Sequence, residues 1–415
     1  MSNLTPKINF DTPSLEDWTS LVERGLRGTP LEALNRETED GIRRGPLIRQ
    51  SDLPPTLSPL GRTDLPRLDN RSWHITAPVR DPDLGHANTQ LLEDLKGGAS
   101  AIRFESGIDL SSRHSLKRLV EGVYTELVPI HFSHGVLTDE SYQHLQYMES
   151  FKTSVIWAGL DPINNFSTIR TALESMPQTW RLMGLAPRKI HEAGGTDVQE
   201  LSGLASALAE AINIHGGETI CQHLVVELAA DRDAHLTVAK FRAARRIIRR
   251  IADVFDLDGT TIPICAVTSL RMMQTEDAWT NLLRVMSAGT GAVMGGADMV
   301  TTLPFTDGLG QATAFAHRIA RNMQLMMMEE SHLGQVSDPA LGSYWHENMT
   351  DQLAQKAWIA FQNIEASGGW SRYNKSGEFK VDIEKSKANR DLHNAPILGV
   401  TLHPAQNIKV PEVRS

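Results

Sequence analysis

A chain of 415 residues with 40% hydrophobic and 22% charged residues has the composition of a globular protein able to bury a sizeable core. Its net charge of -9 and pI near 5.9 argue against nucleic acid as a general partner, and no apolar run of about 18 residues marks a membrane span. Two cysteines, Cys221 and Cys265, are too few for a disulfide framework or a metal site of their own. The opening Met1–Lys7 lacks the charged and apolar regions of a signal peptide, so a cytoplasmic protein is the default expectation.

Residues 1–70 read as an arm. They hold a helix over Ser14–Arg24, a second around Leu31–Thr38, and a proline-rich stretch from Pro46 to Pro66. Such a segment has no core of its own and is expected to wrap the body of the protein or a partner subunit. From 71 to 370 the pattern alternates. Strands are predicted at Trp73–Ile75, Ser100–Phe104, Leu127–Phe132, Ser154–Ala158, Trp180–Leu185, His223–Leu228, Ile262–Val267 and Ala297–Thr301. Amphipathic helices fall between them and once more at 310–328. Eight strands, each followed by a helix, predict an α/β chain closed as a (β/α)8 TIM-type barrel, because buried parallel strands need helical crossovers. An open doubly wound sheet gives the same local pattern. Beyond the turn Asp338–Ser343 a helical extension runs from Asn348 to Ile364, and the polar residues 371–415 read as an irregular C-terminal extension.

Several polar features invite a functional reading. Arg242, Arg245, Arg246, Arg249 and Arg250 form a stripe opposite Phe241, Ala244, Ile248 and Ile251. A solvated or subunit-facing helix side is expected there rather than a grip on phosphate. His131, His134 and His144 have no acid or cysteine at ligand spacing, so no metal site is expected. Met326–Met328 reads as core filling. Lys189, beside His191, stands near a predicted strand end, where barrel active sites lie. It is the catalytic candidate; the alternative is a charge satisfied by Glu192 or by a partner.

Five segments in order carry a family resemblance: Thr38–Ile42; Glu192-Ala-Gly-Gly-Thr-Asp-Val-Gln-Glu200; Ala239-Lys240-Phe-Arg242-Ala-Ala-Arg245-Arg246; Cys265–Glu330, with its Gly295-Gly296 passage; and Asp338-Pro-Ala-Leu-Gly-Ser-Tyr344. Together they resemble the methylmalonyl-CoA mutase family over about Trp18 to Val400. The resemblance implies a substrate barrel, threaded in catalytic members by the pantetheine arm of an acyl-CoA. It also implies adenosylcobalamin in the assembly.

The departures are as telling as the matches. The family's catalytic His, which donates to the thioester carbonyl, falls at Lys189, a hydrated charge on a flexible stem. Its substrate Arg falls at His223, a substrate Ser at Val225, and the strand Gln before Thr268-Ser269 at Val267. The family's Tyr aligns with Leu68 if Trp73 is equivalent. On this alignment Trp73, His191, His223 and Thr268 are the positions at or near the family's substrate pocket. No Asp-x-His-x-x-Gly cobalamin loop occurs, and a cobalamin-binding Rossmann-like domain is not expected within the chain. The segment after Trp73 is closest in wording to the family's small, non-catalytic subunits, whose barrels are packed shut.

The reading that follows is a supporting small subunit of an adenosylcobalamin-dependent acyl-CoA mutase. It should bind no cobalamin by itself and associate with a catalytic mutase chain as a heterodimer, or otherwise with itself as a homodimer. One alternative is an active barrel for another acyl-CoA, using Lys189 and a separate cobalamin-binding subunit. The other is a free-standing pseudoenzyme with a structural or regulatory role. Val225 and Val267 are expected to meet across a narrow, dry axis, with Lys189 turned toward a carboxylate or the rim.

Overall fold

The computed structural model describes residues 13–55, 57–60, 71–392, 396–404 and 409–414. An isolated helix, α1 (Leu15–Gly25), precedes the body, capped by Ser14 in a reciprocal box with Asp17. The repeat then begins: β1 (His74–Val79), α2 (Leu84–Lys96), β2 (Ala101–Phe104), α3 (Arg113–Leu119), β3 (Ile130–Phe132) and α4 (Asp139–Gln146). Next come β4 (Ile156–Leu160), α5 (Phe166–Leu173) and β5 (Trp180–Leu185). Three helices, α6 (Arg188–Glu192), α7 (Asp197–His215) and α8 (Gly217–His223), lead to β6 (Leu224–Ala230). The repeat ends with α9 (Ala234–Val254), β7 (Ile264–Thr268), α10 (Asn281–Met294), β8 (Met299–Thr301) and α11 (Ala314–Leu325). Three more helices follow: α12 (Tyr344–Ala366), α13 (Trp370–Ser376) and α14 (Glu378–Leu392).

The eight strands close in chain order, each parallel to the next, and β1 pairs with β8 through His74–Met299 and Ile75–Val300. All eight predicted strands are present, and the open-sheet alternative is excluded by this closure. The strands are buried on both sides, Arg181 of β5 alone being half-buried among them, because helices cover the outer face and side chains fill the inner one. Gly159 makes the one sharp departure. The β4–β5 register shifts between Trp157 and Leu160, and a Cβ on Gly159 would lie 2.1 Å from the Phe132 carbonyl at φ +63°.

The basic stripe on α9 is not a solvated face. Arg242 and Arg245 are buried, Arg242 against Asp338 and Glu347 and Arg245 against Asp298 at 2.6 Å. Only Arg246, Arg249 and Arg250 lie nearer the surface. The physical reason is twofold: α12 and the turn before it lie along α9 and bring Glu347 and Asp338 to Arg242, while Asp298, just before β8, meets Arg245. Met327 and Met328 do fill the core, whereas Met326 is 40% exposed. Residues 371–392, expected to be irregular, form the rest of α13 and α14; Phe379 and Ile383, one turn apart on α14, dock on Ile190.

The arm packs on its own body rather than hanging free. Trp345 Nε1 donates to the Arg44 carbonyl, Asn348 to that of Asp52, and Lys356 to that of Asp40. Leu60 is buried and its amide donates to Asp338 at 2.9 Å, while Leu53 is half-buried and Leu57 remains exposed. Helix α1 contributes no buried residue. The second predicted helix shrinks to one 3-10 turn, Leu31–Leu34.

One contact of the arm should be sensitive to acid. Asp40 accepts from the Val198 amide at 3.2 Å, and burial, reinforced by nearby Asp197, raises its carboxyl to about 6. The free chain holds that proton only below about pH 3.9. Between these values the docked arm binds more protons than the released one, so docking should tighten as pH falls from 7 to 5 and loosen as it rises through 6. Amide hydrogen exchange over residues 38–44, corrected for intrinsic rates, measures this. Asp40→Asn should abolish the dependence; stronger protection at pH 7 than at pH 5 in the parent would refute the assignment.

Candidate functional site

Alternation along a strand sends Ala101, Arg103 and Glu105 of β2 and its extension to one side, and Val225, Glu227 and Ala229 of β6 likewise. The barrel axis is therefore filled in layers. At the base Ala101, Trp157, Val225, Cys265 and Met299 form a closed apolar cluster. Above it sits an ionic knot. Arg103, wholly buried, donates to Glu227 at 2.7 Å, to Glu105 at 2.6 Å and to Ser133 at 2.8 Å, and its third nitrogen meets His131 Nδ1 at 3.2 Å. Arg188, from the first turn of α6, adds a bond to Glu227 at 2.8 Å and one to Ser133 at 3.0 Å. The His134 amide donates to the second Glu227 oxygen at 3.0 Å.

Two guanidiniums thus face two carboxylates. Burial works against each charge, but the charges hold one another: Arg103, Arg188 and Arg80 bring Glu105 down to about 2, and Arg103 and Arg188 hold Glu227 well below the usual carboxylate range. Burial keeps His131 neutral by lowering its pKa. Since a guanidinium only donates, His131 accepts through Nδ1, which leaves its Nε2–H toward Glu227, 3.2 Å away.

Above the knot the mouth is a cavity of about 530 Å³ lined by Arg80, Glu105, Arg188, Arg271, Val267 and Leu303 among others. Its cations are already engaged: Arg80 with Asp307 at 2.8 Å, Arg271 with Asp231 at 3.1 Å. The knot and the apolar cluster below it leave no passage for an extended pantetheine arm. The mouth lining offers no imidazole to meet a cobalt ion either. These residues do not fit a barrel-bound acyl-CoA with adenosylcobalamin above it.

The predicted site residues are dispersed by the fold. Trp73 immediately precedes β1 and donates through Nε1 to Gln324 at 3.1 Å; His223 immediately precedes β6 and faces the Trp180 carbonyl at 3.3 Å. Both lie at the base, opposite the mouth. Thr268 is buried at the upper end of β7, where its hydroxyl accepts from the Leu303 amide at 2.8 Å. Val225 and Val267 do not meet: the β6–β7 register puts Val267 level with Ala229, so Val225 joins the base and Val267 the mouth. Leu68 lies outside the described residues.

Lys189 and Arg188 are neighbours on a helix and so diverge by about 100°. Arg188 takes the axis. Lys189 turns outward, donating to His134 Nδ1 at 3.1 Å and to the His134 carbonyl at 3.0 Å. Glu192 does not satisfy it; that carboxylate accepts instead from the Leu270 and Arg271 amides. His191, two residues on, is buried beside Ser269 at 3.2 Å and Asp231 at 3.4 Å. With Asp197 and Glu200 it forms an acid–imidazole cluster of metal-ligand geometry. The cationic position is taken by Lys240, whose ammonium lies 2.9 Å from Asp197 and 2.8 Å from Glu200.

Arg103, Glu105, Glu227 and Arg188 were not singled out from the sequence. A signal was present in Ile102-Arg103-Phe104-Glu105: charges alternating with large apolar residues inside a buried strand must be paired with something across the barrel.

Residues 163–411 match the methylmalonyl-CoA mutase family. The chain is 32% identical to the methylmalonyl-CoA mutase small subunit of Streptomyces virginiae, over 97% of this chain and 72% of that protein. It is 30% identical to the small subunit of Propionibacterium freudenreichii subsp. shermanii, over 88% of this chain and 64% of that one. With the methylmalonyl-CoA mutase of Rhizobium meliloti it shares 30% identity over 58% of its own length and 35% of the relative's. The match to the family over more than half of the chain, and to small subunits over nearly all of it, places this protein in the methylmalonyl-CoA mutase family.

Proposed function

We propose that this chain is the small, non-catalytic subunit of an adenosylcobalamin-dependent acyl-CoA mutase, supporting a larger catalytic chain in a heterodimer. The observation that carries the reading is the knot of Arg103, Arg188, Glu105 and Glu227 across the axis. It stands where an acyl-CoA would have to thread. The alternative of an active barrel led by Lys189 requires that amine in the channel, and it is turned to the outer side. A free-standing role is disfavoured by α1, whose Leu15 and Leu21 are 49% and 61% exposed on a helix that buries nothing of its own. Such a face suits a partner chain.

Co-expression with the large mutase chain of the same genome tests this. Light scattering should show a one-to-one complex, and isomerisation should follow the large chain. Removing residues 1–27 should weaken the complex while leaving the barrel folded, since α1 is not part of its core. The isolated chain, titrated with adenosylcobalamin and desalted, should retain none of its visible absorbance. Stoichiometric retention of the cofactor, or isomerase activity from this chain with only a separate cobalamin-binding protein, would overturn the proposal.

A further inference from the structure

Outside the barrel, between α6, α7 and the pair α13–α14, lies a cavity of about 490 Å³ that no step of the proposed function uses. Its walls are apolar: Ile190, Ala207, Trp370, Phe379 and Ile383. Its volume falls within the range of small-molecule sites, which combine apolar walls with few polar groups. Lys189, His134 and Asp161, which meet through His134, form one polar group in the lining.

The charges of that group are unevenly satisfied. Asp161 accepts from the Ile163 and Asn164 amides, from the Asn164 side chain at 2.7 Å, and faces His134 Nε2 at 3.3 Å. Its negative charge is therefore well met. Lys189 has only neutral acceptors, the ring nitrogen and carbonyl of His134, and among the described residues no carboxylate within ion-pair distance. Lys189 is also open to solvent, so a ligand's head can reach it while a tail fills the apolar part. Lys375 and Lys380 add positive charge along the outer lining, against a single further acid, Glu384.

We propose that this lateral cavity binds an amphipathic monocarboxylate, a saturated chain of medium length whose carboxylate pairs with Lys189 and whose tail lies against Trp370 and Phe379. The apolar cluster of Ile190, Phe379 and Ile383 shows how α14 closes the tail end. Binding would fasten α13 and α14 to α6 and α7, coupling the last helices to the barrel wall.

Octanoate and 1-octanol are the probes, titrated calorimetrically into the full chain. Octanoate should bind, and Lys189→Met should weaken it about three- to tenfold, the range between an exposed ion pair and a charge-assisted hydrogen bond, while octanol binding stays unchanged. Ala207→Leu, which fills the cavity, should weaken both. Independently of any variant near α7, 8-bromooctanoate should quench indole fluorescence in the parent and quench far less in Trp370→Phe. No octanoate binding up to millimolar concentration, equal affinity in Lys189→Met, or quenching indifferent to Trp370 would each overturn the assignment.

Discussion

Replacing Glu227 with alanine is expected to lower the free energy of unfolding by about 3–5 kcal/mol, because it leaves two cations, Arg103 and Arg188, sharing one carboxylate. Arg103 is fully buried, and its remaining carboxylate partner, Glu105, would serve both cations. Urea unfolding followed by circular dichroism measures the change. The pair itself need not be a net stabiliser. Arg103→Met combined with Glu227→Met should lose clearly less than the sum of the single changes, since the double variant leaves no lone charge on the axis. Additive losses would show that the two residues are not coupled. The same knot sets the acid limit. Glu105 is depressed to about 2 and Glu227 well below its usual value, so their stabilisation is complete above about pH 4.5 and disappears as pH falls toward the folded values.

Arg242→Met should have an effect of similar size, about 3–5 kcal/mol, but localised elsewhere. Among the described residues Arg242 alone lies within bonding reach of both Asp338 and Glu347, at 3.0 and 2.8 Å, and it also donates to Thr350 at 3.1 Å. Asp338 in turn accepts from Leu60, and Glu347 from Gly342. One guanidinium therefore ties α9 to the turn before α12, to α12 itself and to the arm. Hydrogen exchange should rise first in α12 and residues 57–60, with β2 through β6 keeping their protection. Uniform loss across the barrel would mean that Arg242 holds the core as a whole.

Apolar patterning carried most of the barrel. The runs Leu182–Leu185 and Ile262–Val267 are apolar throughout, and only strands covered on both sides can be so. Sequence motifs also pointed to the right places without saying what they do: Arg242 and Asp338 belong to separate motifs nearly a hundred positions apart, and the fold makes them partners. What patterning does not encode is direction. Whether Lys189 or Arg188 faces the axis depends on the phase at which α6 leaves β5, a matter of a single residue. Val225 and Val267 likewise differ by two layers, base and mouth with the knot between, which only the strand register reveals. The final helices are faint in the sequence because α14 is mostly charged and polar and its buried apolar contacts come from Phe379 and Ile383, a pair one turn apart beside so much charge.

Closure of the barrel through His74–Met299 also has a consequence in time. The ribosome must deliver about 225 further residues before β1 can meet its second neighbour, roughly 10 to 45 seconds at usual synthesis rates. Throughout that interval β1 offers an unpaired edge of backbone donors and acceptors, the feature that recruits foreign strands. Pairing with β2, whose partner residues emerge only about 25 positions later, covers the other edge of β1, so the edge reserved for β8 is the one a chaperone would have to shield. Slowing translation between β2 and β8 should increase aggregation of the newborn chain without altering the stability of the finished one.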